Sequence, residues 1–402
     1  MEMTNMDLNK EIMELAKEYE SYIIRCRRAV HTFAEVAMHE DKTHRFILEE
    51  AKKLGLSYEE VPTTSVIVKL DTGRPGKTVA LRADIDALPM KEDENNLAGP
   101  RTCRSQQPNT CHACGHDGHT AMLLGAMQIL TRMKDLLNGV VLFCFEEGEE
   151  PNTGVAALLE ALEKYHVDIC WGTHLYADLE EGKISVEAGP RMAGFTDTDV
   201  TFIGKGGHGS RPDLAVNPVF CGAAFLTNLS TAFANQITAG ETVTMGITRF
   251  CAGETHNIIP TEAELTGTFR FFNAEEGKKA KEIMRKVAKD TADMFRCQVE
   301  FNRHINYWGG PVVNDQECAS VAAQALEEML PAGTVVTCPP WYAGECFSLW
   351  LERYPGVFAF LGIKNEEGGY GAPHHDGRFD FNEKILATGA ASAARYAAAW
   401  LV

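Results

Sequence analysis

Hydrophobic and polar positions follow one another in a pattern that predicts an α/β fold. Apolar residues recur three and four positions apart over residues 8–33 and from 121 to 133, which predicts helices. Short and largely apolar runs at 140–145 and 167–171 predict strands buried on both faces. Further strands are predicted at 66–70 and 78–82, and a further helix at 344–353. Because helices alternate with these runs, we expect a sheet covered by helices on both sides.

The pattern changes between residues 190 and 305. Strand and helix signals there follow the order β-α-β-β-α-β, the order of a ferredoxin-like split βαβ unit. The segments are 196–203, 216–236, 242–250, 261–272, 273–295 and 298–301. We therefore expect an inserted second domain at 190–305, with the first domain divided into residues 1–189 and 306–402.

Composition narrows the class of protein. The 402-residue chain carries a net charge of −18, which argues against nucleic acid as a partner because phosphates attract Lys and Arg. It contains no apolar run of membrane-spanning length. The first seven residues are polar and acidic rather than signal-like, and the twelve cysteines are scattered. These features predict a protein of the reducing cytoplasm that makes no membrane contact.

Residues 110–119, Thr-Cys-His-Ala-Cys-Gly-His-Asp-Gly-His, hold the densest cluster of potential metal ligands. They precede the helix that begins near 121, and Cys114 and His116 are close enough in sequence to face one ion. Two alternatives stay open here. The residues could be buried cysteines and hydrogen-bonded histidines, or Cys111 and Cys114 could form a redox-active C-x-x-C pair.

Further candidate ligands follow the predicted strands: Glu150 after 140–145, His174 after 167–171, and the pair His374–His375 near the end. The carboxyl ends of strands are where open α/β sheets build their sites. Thiolate, imidazole and carboxylate together suit Zn²⁺, Mn²⁺, Co²⁺ or Ni²⁺. Five ligands are too many for one tetrahedral ion and suit two ions that share one ligand.

The acidic run 146–150 also offers a general base. Glu149, beside the ligand Glu150, would accept a proton from water. The doublet Glu146–Glu147 leaves a second register open for base and ligand. A third possibility is that the run is a solvated acidic loop without chemistry.

Several motifs together resemble peptidase family M20, specifically its amidohydrolase branch of N-acyl-amino-acid, hippurate and auxin-conjugate hydrolases. The most specific is His-Ala-Cys-Gly-His-Asp at 112–117, and Leu-Arg-Ala-Asp-Ile-Asp-Ala-Leu-Pro at 81–89 matches the branch as well. Further matches lie at 139–150, 204–210, 257–260, 355–356 and at His375 with Phe379.

The resemblance implies a role for each matching residue. Two divalent metal ions would be held by Cys114, His116, Glu150, His174 and His375. Glu149 would be the base, and His208 would stabilise the oxyanion from a lid and dimerisation domain, reaching into the site of a partner subunit. Asn257 and Arg270 would hold the substrate carboxylate. From the residues alone, Asn257 could be a turn residue, Arg270 a surface charge and His208 a solvated side chain.

The sequence departs from the branch at several positions. Cys111 stands where Met is usual, and Cys346 replaces the acid of the usual Glu-Asp-Phe. The predicted loop 91–110 is not similar to the common sequence. The strand before the base ends Phe-Glu-Glu-Gly-Glu-Glu rather than Phe-Gln-Pro-Ala-Glu-Glu, so that Glu146 replaces Gln. No departure removes a metal ligand.

We therefore expect a metal-dependent hydrolase that cleaves the amide bond of N-acyl amino acids or small aminoacyl conjugates. The reaction would use a metal-bridged water and a glutamate base, in a homodimer formed through the lid. The alternatives are a dinuclear-metal dipeptidase or carboxypeptidase, and a non-catalytic metal-binding protein on the same scaffold.

Overall fold

A computed structural model describes residues 5–402. The first four residues, part of the N-terminal segment that contributed to the cytoplasmic prediction, lie outside this range. The helices are α1 (Asn5–Phe33), α2 (Asp41–Lys53), α3 (His116–Arg132), α4 (Val155–Leu162), α5 (Pro218–Gln236), α6 (Ala274–Phe295), α7 (Gln316–Met329), α8 (Ser348–Leu351) and α9 (Ile385–Leu401). In the described part of the chain, no helix is both long enough and apolar enough to cross a bilayer.

The strands lie between these helices and are mostly short. They are β1 (Ser57–Val61), β2 (Ser65–Asp71), β3 (Thr78–Asp84), β4 (Val140–Glu146), β5 (Ile169–Glu180), β6 (Ile184–Ser185), β7 (Gly189–Met192), β8 (Gly194–Ile203), β9 (Gly207–His208), β10 (Val243–Cys251), β11 (Ile258–Ile259), β12 (Glu262–Phe271), β13 (Gln298–Phe301), β14 (Trp308–Gly309), β15 (Val312–Asn314) and β16 (Gly356–Lys364).

The first of two compact units contains the chain up to Gly189 together with Val313–Pro339 and Cys346–Val402. Its seven-stranded sheet has the order β1-β2-β4-β3-β5-β16-β6. The four central strands are parallel, and the strands outside them pair antiparallel. The carboxyl ends of the parallel strands therefore share one edge of the sheet, where ligand sites are built.

Strand β4 shows why this sheet is buried on both faces. Its side chains alternate between the faces, and Val141, Phe143 and Phe145 join the hydrophobic core formed with α1, α3 and α9. Leu142 and Cys144 point to the opposite face and are equally inaccessible. The predicted α/β class, with a mixed sheet and helices, is confirmed.

The second unit comprises Pro190–Val312 and Pro340–Glu345. Its antiparallel sheet has the order β10-β12-β8-β13, with β14 also paired to β8, and α5 and α6 pack together. The order β8-α5-β10-β12-α6-β13 is the split βαβ order. Asn217 and Asn273 cap the two helices by accepting hydrogen bonds from Val219 N and Glu275 N.

Two predicted elements are wrong in length. Strand β5 continues to Glu180, so His174 lies within it rather than after it, although β3 pairs with β5 only as far as Gly172. The helix predicted at 344–353 is reduced to α8. The chain passes from the second unit to the first between Glu345 and Cys346, and the helix begins only at Ser348.

Candidate metal centre

The segment 110–119 turns sharply into α3. Gly115 has φ 90°, a left-handed conformation that glycine adopts without steric cost, and His116 is the first residue of the helix. Cys114 and His116 are both buried. Strand β5 contributes His174, whose Nε2 lies 3.5 Å from Cys114 Sγ. The ligand atoms of these three residues all lie within 4.8 Å of one another.

A second group of ligand atoms uses the same cysteine. Cys114, Glu150 and His375 also bring their ligand atoms within 4.8 Å of one another. His375 Nε2 lies 3.4 Å from Glu150 Oε1. The His375 backbone has φ 64°, unusual for a residue with a side chain, and its N–H donates to Ala113 O at 2.9 Å. Two triads that share Cys114 could provide ligands for two neighbouring metal ions.

The donor atoms of this cluster fit a metal. His116 Nε2 and Glu150 Oε1 are buried, have no hydrogen-bond partner and lie 3.9 Å apart. His116 Nδ1 donates to Asp86 Oδ1 at 3.0 Å, and His174 Nδ1 donates to Leu175 O at 2.6 Å. Each bond leaves the Nε2 lone pair for coordination, the usual arrangement of metal-binding histidines. The mixed sulfur, nitrogen and oxygen set suits Zn²⁺, Mn²⁺, Co²⁺ or Ni²⁺.

His374, the neighbour of His375, has a different role. Its Nε2 accepts a hydrogen bond from Ala177 N at 3.2 Å, so its Nδ1 carries the proton and points toward Cys114 Sγ at 3.8 Å. Burial, with the nearby His119, holds its pKa well below the usual value, so the ring is neutral. A nitrogen that carries a proton does not ligate a metal. The geometry therefore favours His375 as the ligand.

The first two glutamates of the acidic run are buried and already hydrogen-bonded. Glu146 accepts bonds from Arg82 and from Trp350 Nε1, the latter at 2.7 Å. Glu147 accepts from Thr63 N at 2.7 Å and from the Thr64 hydroxyl at 2.7 Å. The expectation of a solvated acidic loop is therefore wrong.

Glu149 and Glu150 face the histidines instead. Their carboxylate oxygens and a ring nitrogen of His116 lie within 4.8 Å of one another. Glu149 is 7% exposed, and its Oε1 accepts a hydrogen bond from Cys346 N at 3.2 Å. The position of this pair supports the register that makes Glu149 the base and Glu150 the ligand.

Three buried residues support the ligands but were not predicted to belong to the site. Asp86 accepts from His116 Nδ1 with one oxygen and from Glu150 N, at 3.1 Å, with the other. His119 Nδ1 lies 2.6 Å from Asp84 Oδ1, and its Nε2 accepts from Leu175 N at 2.9 Å. The available signal was Asp-Ile-Asp directly after an apolar strand, which places both carboxylates at the carboxyl edge of the sheet.

Burial and charge govern the protons of the cluster. Burial, with the charge of Glu150, raises the pKa of the Cys114 thiol well above its usual value. Burial, with His119 nearby, holds the pKa of His174 well below the usual value, so the imidazole is neutral and ready to ligate. If Cys114 held a metal as a thiolate, its proton would have to leave, so metal affinity would increase with pH.

Cys111 does not support a redox pair with Cys114. It lies in a backbone bridge with Leu88, and burial raises the pKa of its thiol to about 12. Thiol–disulfide chemistry proceeds through the thiolate, and neither cysteine favours that form.

The three remaining candidates lie in the second unit. His208 is exposed on β9 and pairs with Ile258 of β11, while Asn257 O accepts from Gly209 N at 2.8 Å, so the chain brings His208 and Asn257 together. Arg270 lies on β12, outside the paired strands β9 and β11. It is half-buried, with its guanidinium 5.1 Å from the centre of the Phe195 ring. Burial lowers its pKa, with Asp197 acting in the opposite direction.

Comparison with known proteins supplies the family. The family described as "Peptidase family M20/M25/M40" matches residues 80–399. Thermostable carboxypeptidase 2 of Saccharolobus solfataricus is 34% identical over 393 residues, 96% of this chain and 97% of that protein. N-acyl-L-amino acid amidohydrolase of Geobacillus stearothermophilus is 36% identical over 310 residues, 77% of this chain and 82% of that protein.

A solved structure from Bacillus subtilis, a dinuclear metal-binding peptidase of family M20, is similar across the whole fold. It has a TM-score of 0.82 at 29% identity, covering 95% of this chain and 98% of that one. Sequence and fold agree with the resemblance found in the motifs. The chain belongs to peptidase family M20/M25/M40.

Proposed function

We propose that this protein hydrolyses the amide bond of N-acyl amino acids or related small aminoacyl conjugates with the help of two divalent metal ions. The ions would be held by Cys114, His116, Glu150, His174 and His375. The observation that carries the proposal is the pair of ligand triads that share Cys114, with Glu149 beside them. The relative named N-acyl-L-amino acid amidohydrolase supports the substrate class.

Glu149 is the proton carrier in this proposal. When bound, the metal ions supply Lewis acidity that polarises the scissile carbonyl and acidifies water. Glu149 takes a proton from the attacking water and delivers it to the leaving amine nitrogen. The bond from Cys346 N to Oε1 orients the carboxylate for this transfer.

His208 is proposed to stabilise the oxyanion. Its Nδ1 accepts from Ser210 N at 3.1 Å, so in the neutral ring Nε2 carries the proton and can donate. We propose that residues 190–305 form a lid and dimerisation domain, and that His208 acts in the site of the partner subunit. The apolar side chains of Leu214, Phe220 and Ile258 are exposed in the single chain. Contact with a partner subunit would remove them from water, which supports a dimer through this domain. Size-exclusion chromatography that shows an active monomer would contradict this arrangement.

Arg270 and Asn257 are proposed to bind the substrate carboxylate, because Arg presents a planar pair of donors. We expect Arg270→Ala to raise KM for an N-acyl amino acid by about 10- to 100-fold, the range for a lost charge-assisted bond, with a smaller change in kcat. The same variant should treat the corresponding carboxamide no worse than the wild type does. Arg285→Ala, which removes an exposed arginine of the same unit, is the control. An equal KM increase for both substrates would exclude the carboxylate contact.

Carboxypeptidase or dipeptidase activity is the second candidate, because two relatives from Saccharolobus solfataricus are named carboxypeptidases. A panel of N-acetyl, N-benzoyl and long-chain N-acyl amino acids, assayed beside plain dipeptides, separates the two. We expect release of free amino acid from the acylated set. Cleavage of dipeptides alone would favour the peptidase. Cleavage of neither, with metal bound, would favour a non-catalytic metal-binding protein.

The metal and the compartment complete the proposal. The donor set favours Zn²⁺, Mn²⁺, Co²⁺ or Ni²⁺. Among residues 5–402 no cysteine forms a disulfide, and most of the twelve are buried. We propose a cytoplasmic location, because a reducing compartment keeps thiols in this state.

A further inference from the structure

A buried cluster of charge lies beside the proposed base, outside the set of metal ligands. Its centre is Arg82, which donates to Asp84 Oδ2 at 2.8 Å and to Glu146 Oε1. Trp350 Nε1 donates to the other oxygen of Glu146 at 2.7 Å. The Cys346 thiol completes the cluster by donating to Glu146 Oε1 at 2.9 Å and accepting from Arg82 at 3.2 Å. All five side chains are buried.

Two departures of the sequence meet in this cluster. Position 146 carries a glutamate where the resemblance leads one to expect glutamine, and position 346 carries a cysteine where it leads one to expect aspartate. The positions lie 200 residues apart in the chain, yet their side chains are in contact. The expected pattern and this sequence therefore each place one carboxyl side chain and one uncharged side chain at these two positions.

Cys346 links this cluster to the base. Its backbone N–H donates to Glu149 Oε1, while its thiol is held between Glu146 and Arg82. Rotation of the peptide group that carries this N–H would break the bonds of the thiol. An additional negative charge at position 346 would be repelled by Glu146, which would displace residue 346 and, through its N–H, Glu149.

We propose that Cys346 is a positioning residue for Glu149, and that Glu146 and Cys346 work as one unit that presents one carboxylate to Arg82 in addition to that of Asp84. This inference rests on the proposed function, in which Glu149 is the base. It assigns Cys346 no contact with substrate. A displacement of about 1 Å in a catalytic group can reduce the rate by about 100-fold, so a positioning residue has a measurable effect.

Four enzymes loaded with metal test the unit: wild type, Glu146→Gln, Cys346→Asp and the double variant. Cys346→Asp adds a third carboxylate beside Asp84 and Glu146, and we expect kcat to decrease by about 100-fold or more. Glu146→Gln leaves Arg82 paired with Asp84, and we expect a decrease of about 10-fold. The double variant restores the charge balance, and we expect its kcat to exceed that of Cys346→Asp by at least about 10-fold, within the usual range of coupling between contacting residues.

Further readouts separate positioning from a general loss of stability. KM and the metal content should stay within about twofold of wild type in every soluble variant, because the cluster contains no proposed ligand or substrate contact. Cys346→Ala keeps the fold without adding charge and should also lower kcat rather than raise KM. Cys318→Ala, which removes a buried thiol from α7, is the matched control and should leave kcat unchanged.

The outcomes distinguish this inference from the proposed function. If the wild type cleaves none of the acylated substrates, the proposed function fails. If the wild type is active but Cys346→Ala keeps full kcat, or the double variant loses the product of the two single losses, the inference is overturned. A soluble double variant that is more active than Cys346→Asp supports it.

Discussion

Replacement of Glu149 by glutamine is expected to lower kcat by about 10²- to 10⁴-fold, the usual contribution of a general base. Glutamine has nearly the same shape and can still accept the bond from Cys346 N, but it cannot take a proton from water. The proposed ligands His116 and Glu150 keep their partner Asp86, so the variant should bind metal and fold as the wild type does. Steady-state kinetics and metal analysis of the same preparation measure both effects.

Glu160→Gln, an exposed position on the following helix α4, is the matched control and should retain full activity. A Glu149→Gln enzyme that keeps wild-type turnover would show that another group is the base. Glu146 and Glu147 would then be the next candidates. Their hydrogen bonds to Trp350, Thr63 and Thr64 argue against that outcome.

Replacement of Cys114 by alanine is expected to affect both proposed ions at once. Cys114 is the ligand common to the two triads, so its loss should reduce the metal content below two ions per chain. Outer partners of metal ligands alone affect affinity or activity by about 10- to 100-fold, so loss of the shared ligand should lower kcat/KM by more than about 100-fold. Metal analysis after gel filtration, together with kinetics, gives the two quantities.

Cys111→Ser is the control for this variant, and it tests the redox alternative at the same time. Cys111 is buried and bridged through its backbone to Leu88, and it belongs to neither triad. Its substitution should preserve activity and metal content. Full metal content in Cys114→Ala would contradict the assignment of Cys114 as shared ligand, and loss of activity in a folded Cys111→Ser enzyme would favour the redox alternative.

Much of the architecture could be predicted because the apolar positions in the sequence coincide with the buried positions in the structure. Residues 140–145 of β4 are apolar throughout, and the strand is buried on both faces. The order of strands and helices in the second unit follows from alternation and from caps such as Asn273. The bounds of β5 and α8 could not be predicted. Strand β5 extends beyond Gly172, the last of its residues that pairs with β3. Helix α8 is short and lies close to the point where the chain passes from one compact unit to the other.

The candidate site also has a part that could be predicted from the sequence and a part that could not. The ligand types and the position of Glu150 after β4 could be predicted from the sequence, whereas His174 lies within β5. The structure brings the predicted ligands Cys114, His116, Glu150, His174 and His375 together. The supporting role of Asp86 could not be predicted, because one carboxylate contacts both the His116 side chain and the backbone N–H of Glu150. The contact of Cys346 with Glu146 joins residues far apart in the chain, which local patterns do not encode.

Hydrolysis of one N-acyl amino acid by the chelated and then metal-restored enzyme tests the central claim most directly. The account predicts that chelation abolishes release of the amino acid and that Mn²⁺, Zn²⁺, Co²⁺ or Ni²⁺ restores it, with two ions bound per chain at full activity. Undiminished hydrolysis by enzyme shown to contain no metal would contradict the account.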